Sequence, residues 1–390
     1  KYVVEHSKNE IYEQMVALQS SVEDLDFWII TRNMSIVVIP PKSQAAFEGI
    51  LHNLDAQFRE GPIEMSSQEQ NHEEQCFDEF CPLKRSTRQS GGFFRSYHRY
   101  GAIYQYMQAL AKRYPQFVKL YTLGRSLEGR PIGMLSISPN TRVRTRKMAY
   151  VQGGAHAREW ITTPTVLYLA TELAANMNIY RGILHDTEVF IVPMLNPDGY
   201  EYTHTGNRYW RKNRRHFPGY ACRGVDINRN FGHHWNDAGS SQNLCSEVYS
   251  GRAPFSEPET RLVKGFLEQN RARTKLVLDV HSFGSFLFYP WGFTKKSAPT
   301  RSLLHAVAQR AAAAIYKYRR TSYKIGSSSE ILYEASGGLD DYAYGTLGIP
   351  MSYTMELPGS GFEVDPREIV PICKETFAGF VEFLRHVTLF

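Results

Sequence analysis

The chain of 390 residues contains no run of 18 or more apolar residues, so no membrane-spanning helix is expected. It has only five cysteines, Cys76, Cys81, Cys222, Cys245 and Cys373, and no C-x-x-C pair. That scarcity argues against a thiolate zinc site and fits structural disulfides in an oxidising compartment. No internal repeat is visible. No G-x-S-x-G stretch is present, which removes a serine hydrolase built on an α/β sheet. No charged, apolar leader precedes "KYVVEH", so any export signal is expected to have been removed.

What is present is ordinary globular material. Apolar residues make up 42% and charged residues 22%, enough for a sizeable core, and the length suits two units. The formal charge of +6 is unevenly spread. Residues 1–88 carry 8 Lys and Arg against 15 Asp and Glu, a net of −7. The remainder carries 37 against 24, a net of +13, so the two parts are expected to attract one another. A basic, aromatic-rich body could suit nucleic acid, but no nucleic-acid motif accompanies it and no such partner is expected. "NMS" at Asn33 offers a glycosylation sequon.

The first stretch reads as strand ("YVVEH"), helix ("NEIYEQMVALQS"), a hairpin ("FWIIT", "SIVVIP"), helix ("SQAAFEGILHNL") and strand ("AQFRE"). That βαββαβ order is ferredoxin-like. A polar stretch without periodicity follows and ends in "CPLKRSTRQSGG". The expected division is residues 1–75, a linker over 76–92, and a second domain over 93–390. In that second domain, helices such as "YGAIYQYMQALAKRY" and "TPTVLYLATELAAN" alternate with the apolar runs "KMAYVQ", "TEVFIVPML", "TKLVLDVH" and "PMSYTMEL". The pattern predicts an α/β fold with a mostly parallel mixed sheet flanked by helices.

Polar residues gather where those runs end: His156 and Glu159 in "GGAHAREW", the "NPDGY" turn, His281 and Glu356. Strand C-termini are where open α/β sheets place ligands. Two imidazoles and a carboxylate are a ligand set for zinc, with Glu356 to spare, and Asp226 in "GVDINRNFG" could orient a ligand imidazole. Each histidine taken alone reads better as a hydrogen-bonded interior residue than as a ligand.

"GGAHAREW", "NPDGY", "YWRKNR", "GVDINRNFG", "LDVHSFG", "YEASGG" and "SYTMEL" occur in the order seen in zinc metallocarboxypeptidases. The whole chain resembles a procarboxypeptidase of the A/B type, its first part matching that family's activation domain. The resemblance implies one zinc per chain held by His156, Glu159 and His281. It implies Glu356 as the catalytic glutamate and Arg211 as the arginine that polarises the scissile carbonyl. Asn228 and Arg229 match the pair that holds a substrate's terminal carboxylate, Tyr333 the tyrosine that closes over it, and Arg158 a contact to upstream substrate. Cys222 and Cys245 match the family's disulfide. Cys76 and Cys81 could pair with each other, leaving Cys373 free.

Further expectations follow from the resemblance. The chain should be a secreted, latent, monomeric zymogen of digestive role, activated by a trypsin-like protease at Arg88 or Arg85 and acting on peptide and protein C-termini. Proteinaceous carboxypeptidase inhibitors are possible partners. Asp340, two residues beyond the "SGG" turn, and Ser328 fall at the specificity pocket, where an aspartate implies preference for C-terminal Lys or Arg. The alternatives are an A-type preference for aromatic or aliphatic ends, with Asp340 merely capping the short helix at "DDYAY", a role for which Asp341 is the better candidate, and a non-catalytic binding member of the fold. Two departures stand out: "LPGSGFEVDP" is short for its loop, and "LDDYAYGTLG" is one residue long.

Overall fold

The computed structural model describes residues 1–22, 24–61, 92–139 and 146–390. Arg85, Arg88, Cys76, Cys81 and almost all of the 76–92 linker lie outside the described residues.

The first unit runs β1 (Tyr2–Glu5), α1 (Asn9–Ser21), β2 (Asp26–Ile30), β3 (Met34–Val38), α2 (Pro41–Asn53) and β4 (Gln57–Glu60). Its sheet has the order β2-β3-β1-β4, antiparallel throughout. The order is the expected βαββαβ. Ile11, Met15 and Leu18 lie at helical spacing on α1 and pack with Val4, Ile30, Val37, Phe47 and Leu51 into one core.

The second unit is built on an eight-stranded sheet. Its strands are β5 (Val118–Arg125), β6 (Pro131–Ile137), β7 (Lys147–Gly153), β8 (Thr187–Val192), β9 (Thr274–Ser282), β10 (Phe286–Tyr289), β11 (Lys324–Ser327) and β12 (Met351–Leu357). Its helices are α3 (Tyr100–Arg113), α4 (Thr162–Ala175), α5 (Met177–Tyr180), α6 (Pro197–Thr205), α7 (Pro258–Gln269), α8 (Arg301–Arg319), α9 (Ser328–Ile331), α10 (Leu339–Asp341) and α11 (Pro366–Val387). The strand order is β11-β10-β12-β9-β7-β8-β6-β5. The ladders β12/β9, β9/β7, β7/β8 and β10/β11 are parallel, while β10/β12, β6/β8 and β5/β6 are antiparallel. The sheet is therefore mixed and mostly parallel, as the sequence pattern predicts.

Two-residue periodicity divides the side chains of the central strands between two cores. Ala149, Val151, Leu276, Leu278 and Val280 pack with α3, α4, α8 and α11 on one face. Met148, Tyr150 and Val277 pack with α7 and the segment around Tyr342 on the other. Because both faces are covered, these strands are continuous apolar runs, and the polar residues that interrupt them stand out. Tyr342–Thr346 winds as a π-turn, a geometry that takes up one additional residue, and it falls in the stretch read as one residue long.

Candidate metal centre and substrate cleft

Strands β7, β9 and β12 end side by side. Register sets Glu356 of β12 opposite His281 of β9. The chain leaving β7 turns through Gly153 and Gly154 before reaching His156. Gly154 has φ +66°, and a Cβ there would meet Met194 Sδ at 2.7 Å, so the turn needs glycine. Asn196 of "NPDGY" fastens this turn: its Nδ2 donates to the carbonyls of Ala155 and Lys212 at 3.2 and 3.0 Å. The motif thus works as scaffold, with Asp198 accepting from Ser126 and Arg130 away from the cleft.

The turn brings His156 and Glu159 against His281, and one nitrogen or oxygen from each lies within 4.8 Å of the others. His156 Nδ1 is 2.8 Å from Glu159 Oε1, and His281 Nδ1 is 3.0 Å from Glu159 Oε2. The two Nδ1 atoms are 3.1 Å apart. The opposite nitrogen of each ring faces a carboxylate: His156 Nε2 meets Asp226 Oδ1 at 2.9 Å, and His281 Nε2 meets Asp279 Oδ2 at 3.0 Å. A carboxylate only accepts, so Asp226 places N–H on His156 Nε2 and leaves its Nδ1 lone pair facing Glu159. Three electron-rich groups converging in a buried site are stable around a cation, and the donor set of two imidazoles and a carboxylate suits zinc.

Asp226 is the hinge between this cluster and the cleft. Its Oδ2 accepts from Arg211 Nη2 and Nε at 2.8 and 3.1 Å. Burial pushes the Asp226 carboxyl up, but Arg211, His156 and Arg229 outweigh it and hold it well below its ordinary range. Ala157 N–H bonds to the Arg211 carbonyl at 3.0 Å, which sets that arginine beside the cluster. Asn228 and Arg229 follow in a short 3₁₀ turn capped by Asp226. Arg229 Nη2 is 3.4 Å from the Tyr333 hydroxyl. The Cys222–Cys245 disulfide is present, spanning the loop that carries Asp226 and Arg229. Cys373 is free and buried.

His156, Glu159, His281, Arg211, Asn228, Arg229 and Tyr333 line one cavity of about 120 Å³, together with Arg158, Glu356, Asp340 and Ser328. Glu356 is half-buried, and its Oε2 has no hydrogen-bond partner among the described residues. Desolvation pushes its carboxyl up to about 8, Glu159 adds to the rise, and His281 and Arg211 oppose it. A cation at the neighbouring cluster would draw it back down.

Asp340 and Asp341, adjacent in sequence, differ in role. Asp341 accepts from the backbone N–H of Gly292 at 2.9 and 3.0 Å and of Phe293 at 2.9 Å, so it braces that loop and does not cap α10. Asp340 is buried at the cavity wall, and its carboxylate has no side-chain hydrogen bond or ion pair among the described residues. Desolvation raises its pKa. Gly292 keeps space open here, since a Cβ would meet Ala335 O at 2.8 Å and Ser328 Oγ at 3.1 Å.

The other wall comes from the first unit: Phe27, Trp28, Ile30 and Gln19 also line the cavity. Trp28 stacks on Tyr209 and packs edge-on to Phe362 of the short loop, each with centroids 5.1 Å apart. These contacts, like Asp279, were missed from sequence. Asp279 was within reach, because two-residue spacing puts it on the His281 face of β9; the docking of the first unit had no local signal.

The zinc carboxypeptidase family matches residues 103–379. The chain belongs to that family. It is 38% identical over 288 residues to carboxypeptidase B of Astacus astacus, covering 73% of this chain and 94% of that one. The crystal structure of the carboxypeptidase A from Helicoverpa armigera superposes with a TM-score of 0.87 at 32% identity, covering 99% of this chain and 97% of that one. Bovine thrombin-activatable fibrinolysis inhibitor in complex with tick carboxypeptidase inhibitor superposes with a TM-score of 0.71 at 34% identity, covering 76% and 99%. The chain is thus a zinc-dependent metallocarboxypeptidase. Relatives carry both A and B names, so the names do not choose the terminal residue removed.

Proposed function

We propose that this chain is the latent precursor of a B-type carboxypeptidase, which removes C-terminal Lys or Arg from peptides once its first unit is cut away. The observation that carries the reading is the Asp340 carboxylate, buried at the wall of the cavity that holds the metal cluster and, among the described residues, without a cationic partner. An uncompensated buried carboxylate is costly, and a substrate ammonium or guanidinium relieves that cost. An apolar terminal residue would leave it unrelieved, which disfavours the A-type alternative.

The remaining roles follow from chemistry. His156, Glu159 and His281 hold one zinc, with Asp226 behind His156. Bound zinc supplies a Lewis acid and a water acidified to near pH 7. Arg229 and Asn228 take the substrate's terminal carboxylate, a match for a guanidinium fork, and Tyr333 closes over it. Arg211 is held to Asp226 through Nε and Nη2, leaving Nη1 to donate to the scissile carbonyl oxygen as its charge grows. Glu356, with one oxygen unpartnered, accepts a proton from the attacking water and returns it to the leaving amine. Arg158 binds upstream substrate.

We extend the reading to residues 1–75 as an activation domain, 76–92 as its linker with cleavage at Arg88 or Arg85, and 93–390 as the catalytic domain. A monomeric, secreted, digestive enzyme, open to proteinaceous carboxypeptidase inhibitors, completes it. The test is turnover, by the trypsin-treated protein, of peptides differing only in their last residue, with C-terminally blocked peptides as controls. Cleavage of Lys and Arg ends and not of Phe or Leu is expected. Faster release of Phe would establish the A-type alternative, and no release from any unblocked end would leave a binding member of the fold.

A further inference from the structure

Asp279 stands two residues before His281 on β9 and shares its face. Register places Gln152 of β7 opposite it. A buried chain of contacts results. Tyr150 donates to Gln152 Oε1 at 2.9 Å, and Gln152 Nε2 donates to Asp279 Oδ1 at 2.9 Å. Asp279 Oδ2 then lies 3.0 Å from His281 Nε2 as an ion pair, with no hydrogen-bond partner among the described residues. Asp279 is fully buried, and the imidazole is its one ionic partner among the described residues. Such a carboxylate is costly unless it serves the group it pairs with.

The neighbouring Asn228 cannot replace it. Asn228 Oδ1 accepts from Leu339 N–H at 3.0 Å, which turns Nδ2, a donor, toward His281 Nε2 at 3.4 Å. Among the described residues the carboxylate within reach of an Nε2 proton is therefore Asp279.

We propose that Asp279 is a positioning residue: held by Gln152, it keeps the His281 proton on Nε2, so that Nδ1 stays free and aimed at the metal. The two ligand histidines then each have their own carboxylate, Asp226 for His156 and Asp279 for His281. The proposal rests on His281 being a zinc ligand.

Asp279→Asn is the sharp test. With its Oδ1 still accepting from Gln152, the new amide would point N–H at Nε2 and drive the proton onto Nδ1. Zinc affinity of the full chain is measured by competition with a fluorescent zinc chelator. We expect the variant to bind zinc about 10- to 100-fold more weakly, the usual range for losing such a partner, with the melting temperature of the zinc-free forms alike. Parent-like zinc affinity in Asp279→Asn would overturn the proposal, while a parent that binds no zinc would overturn the metal assignment as well. Imidazole ¹⁵N spectra of the zinc-loaded parent give a readout that needs no variant. A proton on His281 Nε2, slow to exchange, is expected; a proton on Nδ1 overturns the idea.

Discussion

Arg158 and Asp26 meet across the two units of the chain. Arg158, only 1% exposed, donates from Nη1 to both Asp26 oxygens, at 2.8 and 2.6 Å. Among the described residues this is the ion pair that crosses between the units, so the opposed net charges act here through one site. The same guanidinium lies 4.4 Å from the Phe362 ring centroid, under Trp28. Gln19 adds a bond of 3.0 Å to the Tyr333 hydroxyl. The first unit therefore holds Arg158, to which upstream substrate is assigned, and Tyr333, the residue proposed to close over the terminal carboxylate.

Intact protein should accordingly be nearly inactive on peptides, and mild trypsin should raise activity sharply while releasing roughly the first 88 residues. Asp26→Ala removes hydrogen bonds to a charged group, worth about 1.5–3 kcal/mol, so the uncovered population should rise by about 10- to 100-fold. Activity of the uncleaved variant measures it. An intact parent as active as the trypsin-treated one would refute latency.

Glu356→Gln should lower kcat by about 10²–10⁴-fold, the usual worth of a positioned proton-transfer group. Zinc content should stay stoichiometric, because Glu356 is outside the ligand set. Steady-state kinetics with metal analysis on the same sample checks both.

Asp340→Ala should erase the preference for basic ends. Removing one partner of a buried charge pair costs about 3–5 kcal/mol, so kcat/KM for Lys and Arg ends should fall far more than for Leu or Phe ends. An equal fall for all ends would place Asp340 in the scaffold.

Glu259 is buried, and desolvation, with Glu257 beside it, raises its carboxyl to about 8. An acid raised in the folded state is neutral there while the unfolded chain already ionises, above 4.5. Its contribution therefore lowers stability progressively as pH rises from about 4.5 to 8 and is constant beyond. Glu259→Gln should be more stable than the parent by about 1–3 kcal/mol at pH 7 and indistinguishable below pH 4.5. Denaturant unfolding at the two pH values reads the difference.

Local chemistry determined a great deal by itself. Alternating and continuous apolar runs located β1 to β4, the buried β7, β8, β9 and β12, and the helices α1 to α4, because burial on one or two faces writes directly into residue order. The strand ends located His156, Glu159, His281 and Glu356 for the same reason. Strands β5, β10 and β11 were not singled out, since short or partly exposed segments carry weak periodicity, and the buried β6 was not singled out either. Tertiary structure alone decided three matters. It gave Asp341 the amides of Gly292 and Phe293, a bracing role that no local pattern had indicated. It joined Asp279 to Gln152 through the register of β7 and β9. It also set Asp26 and Trp28 over a cleft more than a hundred residues away, a contact made by docking two separately folded surfaces, for which no spacing in the chain is a guide.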